Sequence, residues 1–535
     1  MSQTGLGILS QEIHRILGSL VSDQHLNDLL KLKPLTTRSL NRLFQTKARI
    51  QLKKGQHDRI VQAVNMARAG EKQPSPVLSL QSEADPDLSA LPTPEGRTFA
   101  RALRNILQEV DFDLVNHNLR LLEFGGDYDI RPFPLPTSPV DVQAMKVRLR
   151  QAAKTSRTVD DARFARRIQY AFAFFMFGES LNRKALEDLF GEECKQTLDE
   201  GVRLGLFIKA DGRAIRMNGL SLFSKKLRNS EVIYIFADTP PHFETRAAHQ
   251  RVYIGADSFE LMARVSETPD IAGYCVEMGS GSGIQLIAAL KQYPAITKSI
   301  GKERDRRAVH VSLFNAALNR VDDKMAVVDA DNALRGELDG QLVSFAMTNP
   351  PFIAMPGSIK IDSEDRSELD LRTVFPEAGW GGEDGLQVTK QFVNVLRPLL
   401  KPESRLVIYS QFAGDSKGPT ILRDHVQRGG GFDFAFEPVK SRTLVAMQPE
   451  TGDVVEGQTR KVLSVDETAL SVARLIVAAL LAKQEPQRLR VAIRKGGAEH
   501  ALLLTCARRI DESYRTQGIT HFHDGFAILT RQSSK

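Results

Sequence analysis

The chain has 535 residues, of which 42% are hydrophobic and 26% are charged, and its formal net charge is +7. This length suits two to four domains, and the composition excludes a protein that is disordered throughout. The positive charge is small, so it permits a polyanionic partner without requiring one.

Cysteine usage and hydropathy indicate the compartment. The three cysteines are far apart and form no C-x-x-C pair, so neither a disulfide framework nor a zinc ribbon is predicted. The N-terminus lacks the continuous apolar run of a secretory signal. The most hydrophobic stretch, residues 470–482, contains Arg474 and is too short to span a bilayer. We therefore expect a cytoplasmic protein, no membrane partner, and a buried helix at 470–482.

Residues 1–70 are predicted to form a basic helical module. In its second half Asp58 is the only acidic residue among nine basic ones, which are Lys31, Lys33, Arg38, Arg42, Lys47, Arg49, Lys53, Lys54 and Arg59. Two interpretations stay open, a surface that contacts a phosphate backbone and a solvated helix face. Residues 71–96 are rich in Pro, Ser and acidic residues without a sustained period, so they are interpreted as a linker.

Residues 97–240 are predicted to form a mostly helical, winged-helix-like domain. Its last part reads as three helices followed by a hairpin around Asp211-Gly212, and the segments are 160–178, 179–190, 192–205 and 206–218. Winged-helix domains often bind nucleic acid through the third helix. Here that helix carries the acidic segment EECKQTLDE, which would repel phosphate. A structural or substrate-positioning domain is therefore favoured over a nucleic-acid-binding one.

Residues 245–450 alternate strand-like apolar runs with helical patterns. This alternation predicts an α/β fold with a doubly wound, mostly parallel sheet and helices on both faces. Ligands of such sheets bind at the carboxyl ends of the strands. Each candidate motif below follows a predicted strand.

The first motif is VEMGSGSGIQLIAAL, residues 276–290. Gly279, Gly281 and Gly283 close a strand and open a helix, where a ligand could lie against bare backbone near the positive helix N-terminus. Such a glycine pattern alone fits either a nucleotide site or a tight turn. The acidic residues Glu277, just before it, and Glu303, at the end of the next strand, favour a site that binds ribose hydroxyls.

The second motif is FAMTNPPFIAMP, residues 345–356. Two prolines after an apolar run remove backbone donors and prevent the strand from continuing. The pattern therefore predicts a rigid turn at the carboxyl end of a strand. Taken alone, the motif is best explained as a purely structural turn.

The order of these motifs resembles class I S-adenosylmethionine-dependent methyltransferases. The matching elements are E-x-G-S-G-S-G, then I-G-K-E-R-D-x-R-A-V with FNAALN behind it, then DAD and TNPPF, over about residues 250–415. Within that class the chain is similar to the N-methylating group with an Asn-Pro-Pro-aromatic motif. This group includes release-factor glutamine methyltransferases and guanine and adenine methyltransferases of RNA or DNA.

The resemblance implies that the chain binds S-adenosyl-L-methionine in a Rossmann-like methyltransferase sheet. The loop 279–283 would line the methionine part of the cofactor, and Glu303 would bind its ribose. Asp331, with Asp329 close by, would contact the adenine amino group. Residues 252–261 would pack over the cofactor, with Asp257 as a further candidate contact.

The resemblance also assigns roles to the proline turn. The Asn349 side-chain oxygen and the Pro350 carbonyl would accept hydrogen bonds from one substrate amino group, while Pro350 and Pro351 keep the turn rigid and free of competing N–H donors. These bonds would fix the nitrogen lone pair toward the methyl group. Phe352 would stack on the planar substrate group. We expect no strong general base.

Three further features leave their roles open. The glycine-rich segment 377–388, which holds the only tryptophan, Trp380, reads as a loop that either covers the substrate or is plain surface. His521 and His523 alternate before a strand, but no third ligand suggests a metal, so no metal site is predicted. Residues 451–535 either complete the sheet with an antiparallel strand or form an accessory domain.

The expected function is methyl transfer from S-adenosylmethionine to a planar amino nitrogen. A nucleic-acid base ranks first, with RNA ahead of DNA, because the basic module and the winged-helix-like region add possible nucleic-acid surfaces. The alternatives are a protein glutamine, as in release factors, a small-molecule amine, and a regulator without catalytic activity. The sequence leaves the oligomeric state open.

Overall fold

The computed structural model of the protein describes residues 86–109, 112, 166–210, 214–239, 251–329, 331–360, 368–371, 379–439, 443–447, 454–458, 462–484 and 498–533. All of these belong to one compact unit, Pro86–Lys535. The predicted basic module 1–70 and most of the predicted linker 71–96 lie outside the described residues.

The helices in the described residues are, in chain order, α1 (Pro94–Glu109), α2 (Arg183–Phe190), α3 (Cys194–Arg203), α4 (Ala256–Val265), α5 (Ile284–Gln292), α6 (Arg306–Leu318), α7 (Asp331–Leu338), α8 (Gln387–Leu396), α9 (Thr420–Gly429), α10 (Val465–Gln484) and α11 (Ala498–Thr516). The strands are β1 (Phe207–Lys209), β2 (Ile215–Met217), β3 (Leu220–Lys226), β4 (Val232–Asp238), β5 (Gly273–Met278), β6 (Ile296–Lys302), β7 (Met325–Val328), β8 (Val343–Thr348), β9 (Ser358–Lys360), β10 (Glu368–Asp370), β11 (Leu400–Gly414), β12 (Phe432–Pro438), β13 (Thr443–Met447), β14 (Val454–Gln458), β15 (Val462–Ser464) and β16 (His521–Arg531).

The region before the sheet packs around buried aromatic rings. Residues 166–171 are helical and continue into a π-helical turn, Phe172–Met176, in which every side chain is buried. The next helix begins at Arg183 rather than at Glu179, because Gly178 has a φ of +64° and the Asn182 side chain caps the helix by accepting from Ala185 N at 3.0 Å.

Two antiparallel hairpins follow α3. Strands β1 and β2 pair from Phe207 opposite Met217, which confirms the predicted hairpin strands, although residues 211–213 at its tip lie outside the described residues. Strands β3 and β4 form a second hairpin, from Leu220 opposite Asp238 to Lys226 opposite Val232. This second hairpin packs on helix α6, which belongs to the main sheet.

The main sheet has the strand order β12-β16-β11-β8-β5-β6-β7, with β15 paired to β16. Neighbouring strands from β11 to β7 are parallel, whereas β16 runs antiparallel to both β11 and β12. The predicted α/β fold with a doubly wound, mostly parallel sheet is therefore confirmed. Strand β16 comes from the C-terminal segment 451–535 and lies inside the sheet.

Helices cover both faces of this sheet and form two apolar cores. Helices α4, α5 and α6 pack on one face, together with the hairpins and α1. On the other face lie α7 to α11, with side chains such as Val393, Ile476 and Ile510 fully buried. Helix α10 confirms the predicted helix at 470–482, and Val472, Ala473, Ile476 and Val477 form its buried side where the structure describes the side chains. No helix among the described residues combines the length and hydrophobicity needed to span a bilayer.

Candidate active site

The glycine loop, residues 279–283, connects β5 to α5 at the carboxyl edge of the sheet. Gly279, Gly281 and Gly283 all have positive φ, at +69°, +50° and +76°. A Cβ atom on Gly283 would lie 2.3 Å from Ser312 Oγ, so this turn has no space for a side chain there. The loop thus turns tightly at the N-terminus of α5, with Gly279 and Gly281 half-buried and without side chains.

Glu303 lies at the end of β6, next to the glycine loop. Its Oε2 accepts a hydrogen bond from Gly281 N at 2.9 Å, and its Oε1 accepts from Asp305 N at 3.0 Å. A carboxylate offers about four acceptor positions, so each oxygen retains capacity for a hydroxyl group. The residue is therefore placed to bind a diol at the edge of the loop.

Glu277, in strand β5, is a buried acid in this region. Its side chain is only 1% exposed, and its Oε2 has no hydrogen-bond partner among the described residues. Burial, reinforced by the charge of Glu303, raises the pKa of Glu277 well above the ordinary glutamate value, although a backbone hydrogen bond from Leu286 opposes the shift. A buried unpartnered oxygen is costly, which suggests that a ligand supplies its partner.

Asn349 follows β8 directly, and its side-chain amide has a defined orientation. Asn349 Nδ2 donates to Asp257 Oδ2 at 2.8 Å. Its Oδ1 is buried and has no hydrogen-bond partner among the described residues. The end of β8 is in turn fixed to the end of β5, because Thr348 Oγ1 donates to Met278 O at 2.7 Å. An acceptor atom is thus held beside the glycine loop without a donor of its own.

Asp257 connects Asn349 to the segment that lies over the glycine loop. It stands in the first turn of α4 and is 9% exposed, and its Oδ1 accepts from Tyr253 Oη at 2.9 Å. The Tyr253 carbonyl lies 3.8 Å from where a Cβ of Gly281 would be. Sequence reasoning placed Asp257 among the cofactor contacts, and it missed the contact with Asn349.

Phe352, the aromatic residue that ends TNPPF, takes part in an aromatic cluster. Its ring centroid is 6.2 Å from that of Tyr409 in β11, and Tyr409 lies 5.4 Å from Phe526 in β16, both edge to face. The Tyr409 hydroxyl is hydrogen-bonded to Asp524. Burial and the charges of Asp524 and Asp257 raise the pKa of Tyr409, so its hydroxyl stays protonated. Sequence reasoning did not select Tyr409 or Asp524.

The chain after the motif is held by its own loop and by α11. Within the predicted glycine-rich loop, Gly381 N donates to Ile353 O at 3.0 Å and Trp380 Nε1 donates to Met355 O at 3.0 Å. On the other side, the buried Tyr514 hydroxyl donates to Ala354 O at 2.5 Å. The described part of this loop therefore supports the proline turn.

The remaining candidates are less informative. Asp331 begins α7 just after β7, and its side chain lies outside what the structure describes, while Asp329 is exposed. His523 Nε2 lies 2.8 Å from the Asp415 carbonyl, so this histidine has a backbone partner. Within the described ranges, no three His, Cys, Asp or Glu side chains lie close enough to hold a metal ion.

Comparison with known proteins adds little. No family model matches the chain, and neither does any curated protein. Among solved structures, the chain is similar to a precorrin 8W decarboxylase of Methanobacterium thermoautotrophicum. The two share 12% identity over 38% of this chain and 87% of that chain, with a TM-score of 0.25. It is also similar to a precorrin-6y C5,15-methyltransferase from Geobacter metallireducens GS-15, with 13% identity over 39% of this chain and 86% of that chain, and a TM-score of 0.25.

A third similar structure is geranyl diphosphate C-methyltransferase from Streptomyces coelicolor A3(2) in complex with Mg²⁺, geranyl diphosphate and S-adenosyl-L-homocysteine. It shares 13% identity over 51% of this chain and 79% of its own, with a TM-score of 0.24. Similarities this low do not assign an activity to the chain, so any functional conclusion depends on the geometry of the site.

Proposed function

We propose that the protein is an S-adenosylmethionine-dependent methyltransferase that methylates a planar amino nitrogen. The observation that carries this proposal is the buried, unpartnered Oδ1 of Asn349, held by Asp257 at the carboxyl edge of the sheet. An acceptor atom fixed in this way suits a ligand that brings an N–H donor. The adjacent glycine loop provides a place for the methyl donor.

The residues around the glycine loop fit the cofactor. The bare backbone of the loop allows close approach, and Glu303, at its edge, has the acceptor capacity for two ribose hydroxyls. A positively charged amino group would give the unpartnered Oε2 of Glu277 a hydrogen-bond donor, and its charge would favour the ionised carboxylate against the burial that raises the pKa. S-adenosylmethionine, when bound, supplies a methyl group on a positively charged sulfur.

Asn349 and Asp257 together explain how the acceptor would be held. A carboxylate can only accept hydrogen bonds, so Asp257 binds the Nδ2 side of the Asn349 amide and leaves Oδ1 for the substrate. Oδ1 then accepts from the substrate amino group and directs the nitrogen lone pair toward the methyl group. The Asp257 carboxylate also favours the positive charge that develops on this nitrogen.

Phe352 and Tyr409 would form the walls of the acceptor pocket. Phe352 is half-buried and meets Tyr409 edge to face, so part of its ring remains available for a flat substrate group. An amide or an aromatic amine has a delocalised lone pair and is planar. Stacking would therefore select for such groups and align them with Asn349.

A nucleic-acid base, of RNA before DNA, is the acceptor class that we favour, because of the basic composition of residues 1–70. Protein glutamine is the second candidate, since the glycine loop and TNPPFI resemble release-factor enzymes. A small-molecule amine follows. A regulator without turnover is disfavoured, because a protein that only binds would not need the unpartnered acceptor atom of Asn349.

The test is methyl transfer from radiolabelled S-adenosylmethionine to total RNA, DNA and a soluble protein extract, each taken separately from cells that lack the gene. Asn349→Ala should lower transfer about 100-fold or more, while binding of S-adenosylhomocysteine stays near the wild-type value. Asn218→Ala is the matched control for Asn349→Ala. The Asn218 residue is also half-buried, and its side-chain Nδ2 donates one hydrogen bond, to Gly205 O at 2.7 Å, but it lies outside the site. Transfer that survives Asn349→Ala unchanged would refute the mechanism.

A further inference from the structure

The β3–β4 hairpin is attached to α6 by two buried asparagines that take the place of a neighbouring strand. Asn315 Oδ1 accepts from Phe236 N at 2.8 Å, and its Nδ2 donates to Phe236 O at 2.8 Å. Asn319, one turn later, makes the same pair of bonds to Tyr234, at 3.0 and 2.7 Å. Both asparagines are fully buried. The free edge of β4 is thus paired with a helix.

The two asparagines differ in their third hydrogen bond. Asn315 Nδ2 also donates to Ser282 O at 2.9 Å, in the glycine loop. Asn319 Nδ2 instead donates to Asn315 O at 2.8 Å, within its own helix, and Asn319 Oδ1 also accepts from Arg104 Nη1 at 3.0 Å. Both amide groups hold β4, but only that of Asn315 joins the hairpin to the loop that we assign to the cofactor.

A second connection starts at Asp238, the last residue of β4. Asp238 Oδ2 accepts from Arg251 N at 2.8 Å and from Val252 N at 2.9 Å, and Asp238 N donates to Val252 O at 2.9 Å. Its Oδ1 lies 2.8 Å from Nε and 2.7 Å from Nη2 of Arg307 in α6. The ion pair is buried, with side-chain exposures of 4% for Asp238 and 9% for Arg307.

Asp238, itself held by Arg307, fixes the start of the segment that reaches the acceptor site. Val252 precedes Tyr253, whose carbonyl lies over Gly281 and whose hydroxyl binds Asp257. Asp257 in turn orients Asn349. A continuous series of short contacts therefore runs from the hairpin to the acceptor atom.

We propose that Asn315 and Asp238 are positioning residues through which the β3–β4 hairpin holds both walls of the site, the glycine loop at Ser282 and the 252–257 segment at Val252. This inference rests on the proposed function. It makes the hairpin a part of the cofactor site instead of a separate module that only packs against it. Loss of either connection should therefore impair cofactor binding in a protein that remains folded.

The experiment compares Asn315→Ala with Asn319→Ala. Each substitution removes two bonds to β4 from a fully buried position, and Asn319→Ala also takes one acceptor from the buried Arg104 guanidinium. Asn319→Ala should therefore lower the free energy of unfolding, measured by urea denaturation, at least as much as Asn315→Ala. Calorimetric titration with S-adenosylhomocysteine should show a Kd raised about tenfold for Asn315→Ala and unchanged for Asn319→Ala, since one hydrogen bond to the loop is lost only in the first.

Asp238→Asn tests the second connection and serves if Asn315→Ala does not fold. The amide keeps the size of the side chain but has one acceptor oxygen in place of two, so it cannot accept both from Arg307 and from the backbone N–H groups of Arg251 and Val252. We expect a raised Kd for S-adenosylhomocysteine and a lower kcat, with the KM of the acceptor little changed. A positioning role predicts that the folded protein has a changed Kd and kcat with an unchanged KM. A purely structural role would lower only the fraction of protein that is folded.

The outcomes separate this inference from the proposed function. If the wild-type protein does not bind S-adenosylhomocysteine, the proposed function fails and the inference fails with it. If the wild type binds but Asn315→Ala and Asp238→Asn bind equally well, or if Asn319→Ala weakens binding as much as Asn315→Ala, the inference alone is overturned.

Discussion

Two glycines of the same loop should respond to alanine in opposite ways. Gly281 and Gly283 both have positive φ, which costs a residue with a Cβ about 1–2 kcal/mol. At Gly283 the added Cβ would also lie 2.3 Å from Ser312 Oγ and 2.8 Å from Met325 Cε, so overpacking adds about 1–3 kcal/mol. At Gly281 the nearest atom is Tyr253 O, at 3.8 Å, an ordinary contact.

Gly283→Ala should therefore lower the free energy of unfolding by about 2–5 kcal/mol and Gly281→Ala by only about 1–2 kcal/mol. For ligand binding we expect the reverse order. The Cβ at Gly281 would enter the space between the loop and Tyr253, where we place the cofactor, so S-adenosylhomocysteine should bind at least about tenfold more weakly. Urea denaturation and calorimetric titration measure the two effects separately.

Gly336→Ala provides the control, because Gly336 lies in α7 with ordinary helical φ and no atom within 4 Å of the added Cβ. It should leave ligand binding unchanged and stabilise the protein by about 0.5–1 kcal/mol. The reasoning would be refuted if Gly281→Ala bound the ligand normally, or if it destabilised the protein as much as Gly283→Ala.

Three further outcomes follow from the structure. Because the pKa of Glu277 is raised in the folded protein, its contribution to stability is lost as the pH rises from the ordinary pKa near 4.5 through the raised pKa. Over that range the free energy of unfolding of Glu277→Gln, relative to wild type, should increase by up to about 1.4 kcal/mol per pH unit. A difference between the two proteins that does not change with pH would contradict this. Tyr514→Phe leaves the buried Ala354 carbonyl without its donor and should cost about 1–3 kcal/mol in urea denaturation, with an unchanged midpoint as the contrary result. A chain that ends at residue 450 lacks β16 from inside the sheet and should not give a cooperative unfolding transition, whereas a stable, soluble product would show that the sheet tolerates the loss.

Local patterns in the sequence were sufficient to predict much of the fold and the turns formed by the two motifs. The alternation of apolar strands and amphipathic helices between 245 and 450 is a property of neighbouring residues, and so is the turn at Gly279–Gly283. The Asn349 turn was predictable for the same reason, because two prolines restrict the backbone in any context. These features need no knowledge of distant parts of the chain.

Contacts between distant residues were not predictable. Asp257 and Asn349 are 92 residues apart, and nothing in either segment indicates that one orients the other. Asp524, directly after His523, was overlooked, and it meets Tyr409 only because β16 pairs with β11. The sequence likewise left open whether residues 451–535 join the sheet, since an antiparallel strand can be placed only once its neighbours are known.

The position of β16 also determines when the sheet can close during synthesis. The two strands that flank β16, β11 and β12, are made before it, as is β15, which also pairs with it, and α10 and α11 are made in between. At about 5–20 residues per second, translation of the intervening chain takes on the order of several seconds. For that time two strand edges remain unpaired on the nascent chain, which is a condition that favours misassociation. We therefore expect this protein to need protection from chaperones on the ribosome until its last residues emerge.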